Sequence, residues 1–191
     1  TVYADKEIIE QVWTRVENQT LIIDANNSVQ FGRRLPFLRI NAQRVFPVEV
    51  IVSIQDLKEI AITGTGNLSG SGINAGHLKI FSASPGRLDL RQFSAESLEV
   101  IQEGAGDIIL KGAPLANLNA TVNGTGSIRA AELEVRRASI ALNGKGHAYL
   151  APNDWLDARI PNAGNLFITR KPEQSIIQGG GTGSVKMIFP Q

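Results

Sequence analysis

The chain has 191 residues, of which 42% are hydrophobic and 19% are charged, a composition typical of a folded globular protein and unlike that of a disordered one. Its 19 basic and 18 acidic residues leave a net charge of +1, which gives no electrostatic argument for binding nucleic acid or an anionic bilayer. Cysteine is absent, so disulfides, thiol catalysis and thiolate metal sites are excluded, and no apolar run reaches the ~20 residues of a membrane-spanning helix.

Residues 1–44 follow no regular pattern. The stretch EIIEQVWTRVEN, residues 7–18, is compatible with a helix or with a strand, and TLIID and FLRIN predict one or two more strands. The repeats that begin near residue 45 need a cover over their first open edge. We therefore expect residues 1–44 to form an N-terminal cap with distorted first coils, and residues 1–191 to be one structural domain.

A Gly-x-Gly motif recurs through the rest of the chain. Its second glycines, from Gly66 to Gly183, follow one another after 20, 20, 20, 20, 18 and 19 residues. Asn162 takes the first position of one motif, and Ser84, followed by Pro85, takes that of another. Glycine and asparagine tolerate left-handed backbone, so we interpret the motifs as turns and expect a differently shaped turn at Ser84. The predicted turn residues are Gly64, Gly66, Gly86, Gly104, Gly106, Gly124, Gly126, Gly144, Gly146, Asn162, Gly164, Gly181 and Gly183.

Three short segments of alternating apolar and polar residues follow each motif, which is the pattern of strands with one buried face. The first segment aligns Leu68, Leu88, Ile108, Ile128, Ala148, Leu166 and Val185 in one apolar column. The second aligns Ile73, Phe93, Ala113 and Leu133, and then Ala75, Ala95, Leu115, Val135 and Trp155. The third aligns Leu78, Leu98, Leu118 and Ala138, and then Ile80, Val100, Ala120 and Ile140.

Three strands and three turns in about 20 residues describe one coil of a parallel β-helix. The repeats predict an all-β, single-stranded parallel β-helix over residues 45–191, with ~20-residue coils stacked about 4.8 Å apart. Counted with the looser coils before residue 66, we expect eight to nine coils, and Pro190 should end the last strand because it lacks an N–H donor.

The strongest charged cluster consists of Arg87, Asp89 and Arg91 in one coil, with Asp107 and Lys111 in the next. Arg87 and Asp107 share a column and should lie about 4.8 Å apart. Carboxylates gathered beside basic residues on a β-helix could bind or cleave an acidic sugar chain. The alternative is a cross-strand ion pair with little energetic weight.

Tyr149 and Phe167 occupy one outward column in adjacent coils, where they could bind a sugar ring or a partner, or be covered by a loop or by an oligomer contact. Arg136 and Arg137 form the densest basic spot, which we interpret as a solvated turn because Glu132 and Glu134 offset it.

Metal and cofactor sites are not indicated. The two histidines, His77 and His147, belong to different faces of different coils and lack the spacing of a zinc site. The glycine motifs are followed by strands, whereas a phosphate loop or dinucleotide fingerprint leads into a helix. We expect no metal and no cofactor.

Several stretches, PVEVIVSIQDLKEIAITGTGNLSG, LEVIQEGAGDIIL, LNATVNGTGSIRA, ASIALNGKGHAYL and IIQGGGTGSVKM, resemble the head GIN domain family of bacteria, a family of proposed autotransporter adhesins. The resemblance covers residues 45–188 well and residues 1–44 less well. It implies a right-handed β-helix without catalytic residues to carry over. It also implies export to the periplasm, the outer membrane or the cell surface, and we expect a signal peptide to be removed before residue 1.

The sequence therefore predicts a non-catalytic, adhesin-like binding module of the bacterial envelope or surface, with an unidentified protein or glycan as its ligand. The candidate binding residues are Tyr149, Phe167, Arg87, Asp89 and Asp107. Two alternatives stay open: a carbohydrate-active enzyme that uses Asp89 and Asp107, and a structural unit that self-associates, for which a homo-oligomer would be expected.

Overall fold

Two units make up the chain, Thr1–Ile54 and Gln55–Gln191. The structure is a computed structural model, and it describes residues 1–26, 28–35, 38–45 and 47–188. Pro190, and the first residue of the predicted FLRIN strand, lie outside the described residues.

Antiparallel strand pairs form the described part of the first unit. Its strands are β1 (Val2–Ala4), β2 (Val12–Glu17), β3 (Thr20–Ala25), β4 (Ser28–Leu35), β5 (Leu38–Val45) and β6 (Val48–Val50). They pair as β1 with β6, β2 with β3 and β4 with β5, whereas the coils of a β-helix pair in parallel. Within residues 7–18, a single 3-10 turn at Ile9–Gln11 leads into β2, so the strand alternative is confirmed from Val12 onward.

The second unit is a parallel β-solenoid of about six turns, which confirms the predicted fold class. The coil count is lower than the eight to nine expected, because the described strands before Ile54 do not join the parallel sheet. The strands are β7 (Glu59–Ile62), β8 (Leu68–Ser71), β9 (Asn74–Ser82), β10 (Leu88–Gln102), β11 (Ile108–Gly112), β12 (Leu115–Val122), β13 (Ile128–Leu142), β14 (Ala148–Ile160), β15 (Leu166–Ile168), β16 (Gln174–Gly179) and β17 (Val185–Met187).

The predicted register of the first segment holds along the whole solenoid. Strand by strand, the structure aligns Leu68, Leu88, Ile108, Ile128, Ala148, Leu166 and Val185. The columns of the third segment are also confirmed, since Leu78, Leu98, Leu118 and Ala138 pair in sequence. Most of these side chains are buried in one continuous core, where a leucine or isoleucine contributes about 1.5–3 kcal/mol.

The second segment departs from the predicted columns in two places. Gly112, and not Ala113, lies opposite Phe93, because β10 bulges at Gln92, whose φ is +53°; Ala113 is exposed. Trp155 lies opposite Arg137, and the predicted neighbour Val135 pairs with Pro152. The shortened coil after Gly146 shifts this register and places Trp155 on the outer face.

Close packing between successive coils requires glycine at the corners. Our prediction that these glycines have left-handed backbone is wrong. Among the described glycines only Gly72 has a positive φ. A Cβ added at Gly106 would instead overlap the carbonyl oxygen of Gly86 in the preceding coil. The same overlap, with the backbone of the coil before, is found at Gly126 and at most of the other corners. Glycine therefore lets successive corners approach within hydrogen-bonding distance.

The two non-glycine corner residues are accommodated by side-chain hydrogen bonds. Asn162 is not at positive φ; its Nδ2 donates to the carbonyl of Asn143 in the preceding coil. Ser84 is fully buried, and its Oγ accepts the N–H of Gly86 at 2.8 Å.

Candidate functional site

In four coils, the residue that follows the corner glycine forms a side-chain hydrogen bond to the next coil. The side chain of one coil accepts the backbone N–H of the next coil: Asn67 from Arg87 (2.8 Å), Asp107 from Ser127 (3.0 Å), His147 from Asn165 (3.1 Å) and Asn165 from Ser184 (3.0 Å). These bonds satisfy N–H groups just before the strands begin, and they hold the predicted site residue Asp107 in place.

Asp89 is clamped by two arginines of its own coil. Arg91 Nε and Nη2 donate to its two carboxylate oxygens at 2.9 Å each, and Arg87 Nη2 donates at 3.3 Å. The hydrogen bond from Arg91 is the main cause that holds the pKa of Asp89 below its ordinary value, and partial burial opposes it. Asp89 therefore stays anionic at neutral pH.

Asp107 forms its ion pair with Arg129 and not with the predicted partner Arg87. Arg129 Nε donates to Asp107 Oδ2 at 2.8 Å across the stacked coils, while Arg87 is engaged by Asp89. Partial burial raises the pKa of Asp107, but the hydrogen bonds from Arg129 and from the Ser127 N–H outweigh it, so the pKa is lowered.

The predicted aromatic pair stacks along the same outward column. The rings of Tyr149 and Phe167 are 4.6 Å apart at an angle of 11°, and His147 meets Phe167 edge-on at 6.1 Å. The Arg129 guanidinium lies over Tyr149 at 5.1 Å. Because Arg129 belongs to the preceding coil and Phe167 to the following one, both faces of the Tyr149 ring are occupied. A sugar ring can reach its edge but cannot stack on its face.

We call this surface the outward strip: Arg87, Asp89, Asp107, Arg129, Tyr149 and Phe167. An open groove of about 560 Å³ lies at the corner next to it, lined by Ser71, Arg91, Gln92, Lys111, Gly112 and Glu132. Lys111 Nζ and Glu132 Oε1 form an ion pair of 2.5 Å there. The strip and the groove together expose charged, amide and aromatic groups to solvent.

Sequence reasoning paired Tyr149 with Phe167 and treated Asp89 as part of a separate charged cluster, whereas the register places all three in one column. It did not name Arg129 as a site residue. Its column was a usable signal, since Arg129 lies between Ile109 and Tyr149 in register. The choice of Arg129 over Arg87 as the partner of Asp107 depends on side-chain direction, which the repeat does not encode.

Neither histidine adjoins a cluster of metal ligands in the described part of the chain. His77 Nδ1 contacts Ser97 Oγ at 2.8 Å, and His147 Nδ1 accepts the Asn165 N–H. No group of three histidine, aspartate or glutamate side chains there could hold a metal ion. Nor does any described helix have the length and apolar character that a membrane crossing needs.

These features define a class: a β-solenoid with a polar and aromatic side surface. Residues 1–172 match the family described as "Putative auto-transporter adhesin, head GIN domain", and the chain belongs to that family. No curated protein matches the chain.

Two crystal structures have a similar fold. A "putative adhesin" from Bacteroides fragilis is 20% identical, with a TM-score of 0.79, over 98% of this chain and 81% of that one. A "putative adhesin" from Parabacteroides distasonis is 17% identical, with a TM-score of 0.65, over 98% and 82%. At these identities the likeness supports the fold alone.

Proposed function

We propose that the chain is a non-catalytic binding module of a bacterial cell envelope or surface, and that it engages a glycan or a protein through the outward strip. Membership of a family described as adhesins supports this function. The main support for a non-catalytic function is the environment of the two candidate carboxylates. Asp89 and Asp107 are each held by arginine, and their pKa values are lowered.

A general acid at neutral pH needs a raised pKa, and a nucleophile or general base needs an accessible carboxylate. Both carboxylate oxygens of Asp89 accept hydrogen bonds from Arg91, and its side chain is only 17% exposed. Asp107 gives one oxygen to Arg129 and the other to a backbone N–H. Both carboxylates therefore suit a fixed surface of alternating charge, which favours recognition over turnover.

The strip also fits recognition in its geometry. Its rungs repeat at about 4.8 Å, and the stacked rings of Tyr149 and Phe167 form a rigid, half-buried edge. Rigid aromatic groups lose little entropy when a ligand covers them, and they are frequent energetic centres of binding surfaces.

Binding to immobilised glycans and envelope proteins tests the proposal. We expect saturable binding by the wild type and a loss of about tenfold or more in the double variant Tyr149→Ala/Phe167→Ala. Phe81→Ala is the matched control, because Phe81 is also half-buried and outward but lies on β9.

An assay for product release distinguishes a binding module from an enzyme. Wild type incubated with a panel of acidic polysaccharides should release no soluble product. Release of product that is lost in Asp89→Asn or Asp107→Asn would refute a non-catalytic module. Saturable binding that the double variant retains in full would refute the strip as the binding surface.

A further inference from the structure

A second groove lies on a different part of the solenoid, where the third segments of the coils stack. It has a volume of about 270 Å³ and is lined on its outward side by Asn117, Asn119, Arg137, Ser139 and Trp155. The strand register brings these residues together: Arg137 pairs with Asn117 of the coil before and with Trp155 of the coil after, and Ser139 pairs with Asn119. Arg136 and Arg137 are both exposed, as expected, but they lie within β13 and not in a turn.

Arg137 differs from every other arginine of the second unit within the described residues. Arg87, Arg91, Arg129, Arg136, Arg159 and Arg170 each have a carboxylate within 4.0 Å. Its neighbour Arg136 pairs with Asp154 at 3.3 Å, while Arg137 has no acidic partner and is exposed. Its guanidinium therefore offers a planar set of donors that an external carboxylate can accept in a bidentate manner.

Trp155 provides an apolar surface beside that charge. It is half-buried, and in the part of the chain that is described no ring or cation stacks on its indole, in contrast to the enclosed ring of Tyr149. An indole face next to polar groups suits the C–H face of a sugar ring, since the ring buries apolar area and leaves the hydroxyls free for hydrogen bonds.

The remaining groups of the groove are amides and a hydroxyl. Asn117, Asn119 and Ser139 are exposed, and none makes a side-chain hydrogen bond to another described residue. Their donors and acceptors are thus available to sugar hydroxyls. The groove is shallow and open to solvent, so it can hold a ligand along the surface but cannot enclose one.

We propose that this groove binds a saccharide unit that carries a carboxylate. The carboxylate lies at Arg137, the sugar ring lies against Trp155, and the hydroxyls are bonded by Asn117, Asn119 and Ser139. The outward strip is a separate surface, so this proposal does not depend on the function proposed for the strip.

Fluorescence of the full chain tests the groove. The chain has two tryptophans, so the variant Trp13→Phe leaves Trp155 as the single reporter. Trigalacturonate is the acidic probe, maltotriose the neutral probe of equal length, and sodium acetate the free anion. We expect trigalacturonate to change the Trp155 emission saturably and to bind about tenfold or more tightly than maltotriose, as a charge-assisted contact implies.

Two arginine variants in the same background complete the experiment. Arg137→Gln should weaken trigalacturonate about tenfold, and Arg136→Gln, the matched control, should bind as the parent does. Any of four results would overturn the proposal. They are the absence of a saturable signal with trigalacturonate, an equal affinity for maltotriose, an equal response to acetate, and unchanged binding of trigalacturonate by Arg137→Gln. Tyr149→Ala should leave this signal intact, so failure of the strip and failure of the groove give different results.

Discussion

Replacing Gly106 by alanine tests the contact between successive corners of the solenoid. The added Cβ would lie 2.7 Å from the carbonyl carbon of Gly86 and 2.9 Å from that of Pro85. The Cβ would also overlap the carbonyl oxygen of Gly86. Ordinary contact begins at 3.4 Å, so the corners must separate by more than 0.7 Å, which is the difference between 3.4 and 2.7 Å for the carbonyl carbon alone. The hydrogen bond from the Gly106 N–H to the Ser84 carbonyl, now 3.0 Å, would then be lost.

The expected loss of stability follows from these two effects. Over-packing costs about 1–3 kcal/mol, and a lost hydrogen bond costs about 0.5–1.5 kcal/mol. Because the obstructing atoms are backbone and cannot rotate away, Gly106→Ala should lower the free energy of unfolding by about 2–4 kcal/mol. In a chain of this size that corresponds to a fall in Tm of roughly 4–16 °C.

Circular dichroism during thermal and urea unfolding measures the effect, with Gly66→Ala as the matched control. Gly66 has the same motif, but a Cβ added there meets no atom within 4 Å, so its effect should stay within about 0.5 kcal/mol. If the two variants melted within about 2 °C of each other, our explanation of the corner glycines would be wrong.

Two further predictions concern the core and the strip. Leu110→Ala removes a fully buried side chain from the solenoid axis and should cost about 2–5 kcal/mol in urea unfolding; a cost below about 1 kcal/mol would contradict a close-packed core. Asp107→Asn retains an acceptor for the Ser127 N–H but loses the charge pair with Arg129, so it should cost about 0.2–1 kcal/mol at pH 7, and Asp107→Ala should cost more. Since the pKa of Asp107 is lowered in the folded state, this stabilisation is present above the unfolded value of about 3.9 and is lost as the pH falls through the folded value. Wild type and Asp107→Asn should therefore converge in acid, and a gap that persisted there would show that the charge is not its cause.

The core of the solenoid could be predicted because each coil repeats the same local pattern. Leu88, Ile108 and Ile128 align as the spacing requires, and period-two alternation determines which side of each strand is buried. The predicted columns fail where the local length changes. The bulge at Gln92 shifts the register by one residue, so Gly112 takes the place opposite Phe93 that was predicted for Ala113. The short coil after Gly146 moves Trp155 out of the column of Val135.

The candidate sites could be predicted only as far as the column of each residue. Tyr149 and Phe167 were placed together because stacked coils bring equivalent positions side by side. The partner of Asp107, the arginine over Tyr149 and the unpaired Arg137 depend on the directions of long side chains across coils. Several such directions have similar free energies at an exposed position, and the sequence of one coil does not select among them.

The sequence by itself determined the solenoid: a repeat of about 20 residues, a glycine at each corner and an apolar column behind it, because burial of apolar side chains follows directly from periodicity. Only the tertiary structure decided why those glycines are needed and which surface groups remain free. Both depend on the distance between backbones in adjacent coils and on contacts between residues about 20 positions apart, and these exist only once the coils are stacked.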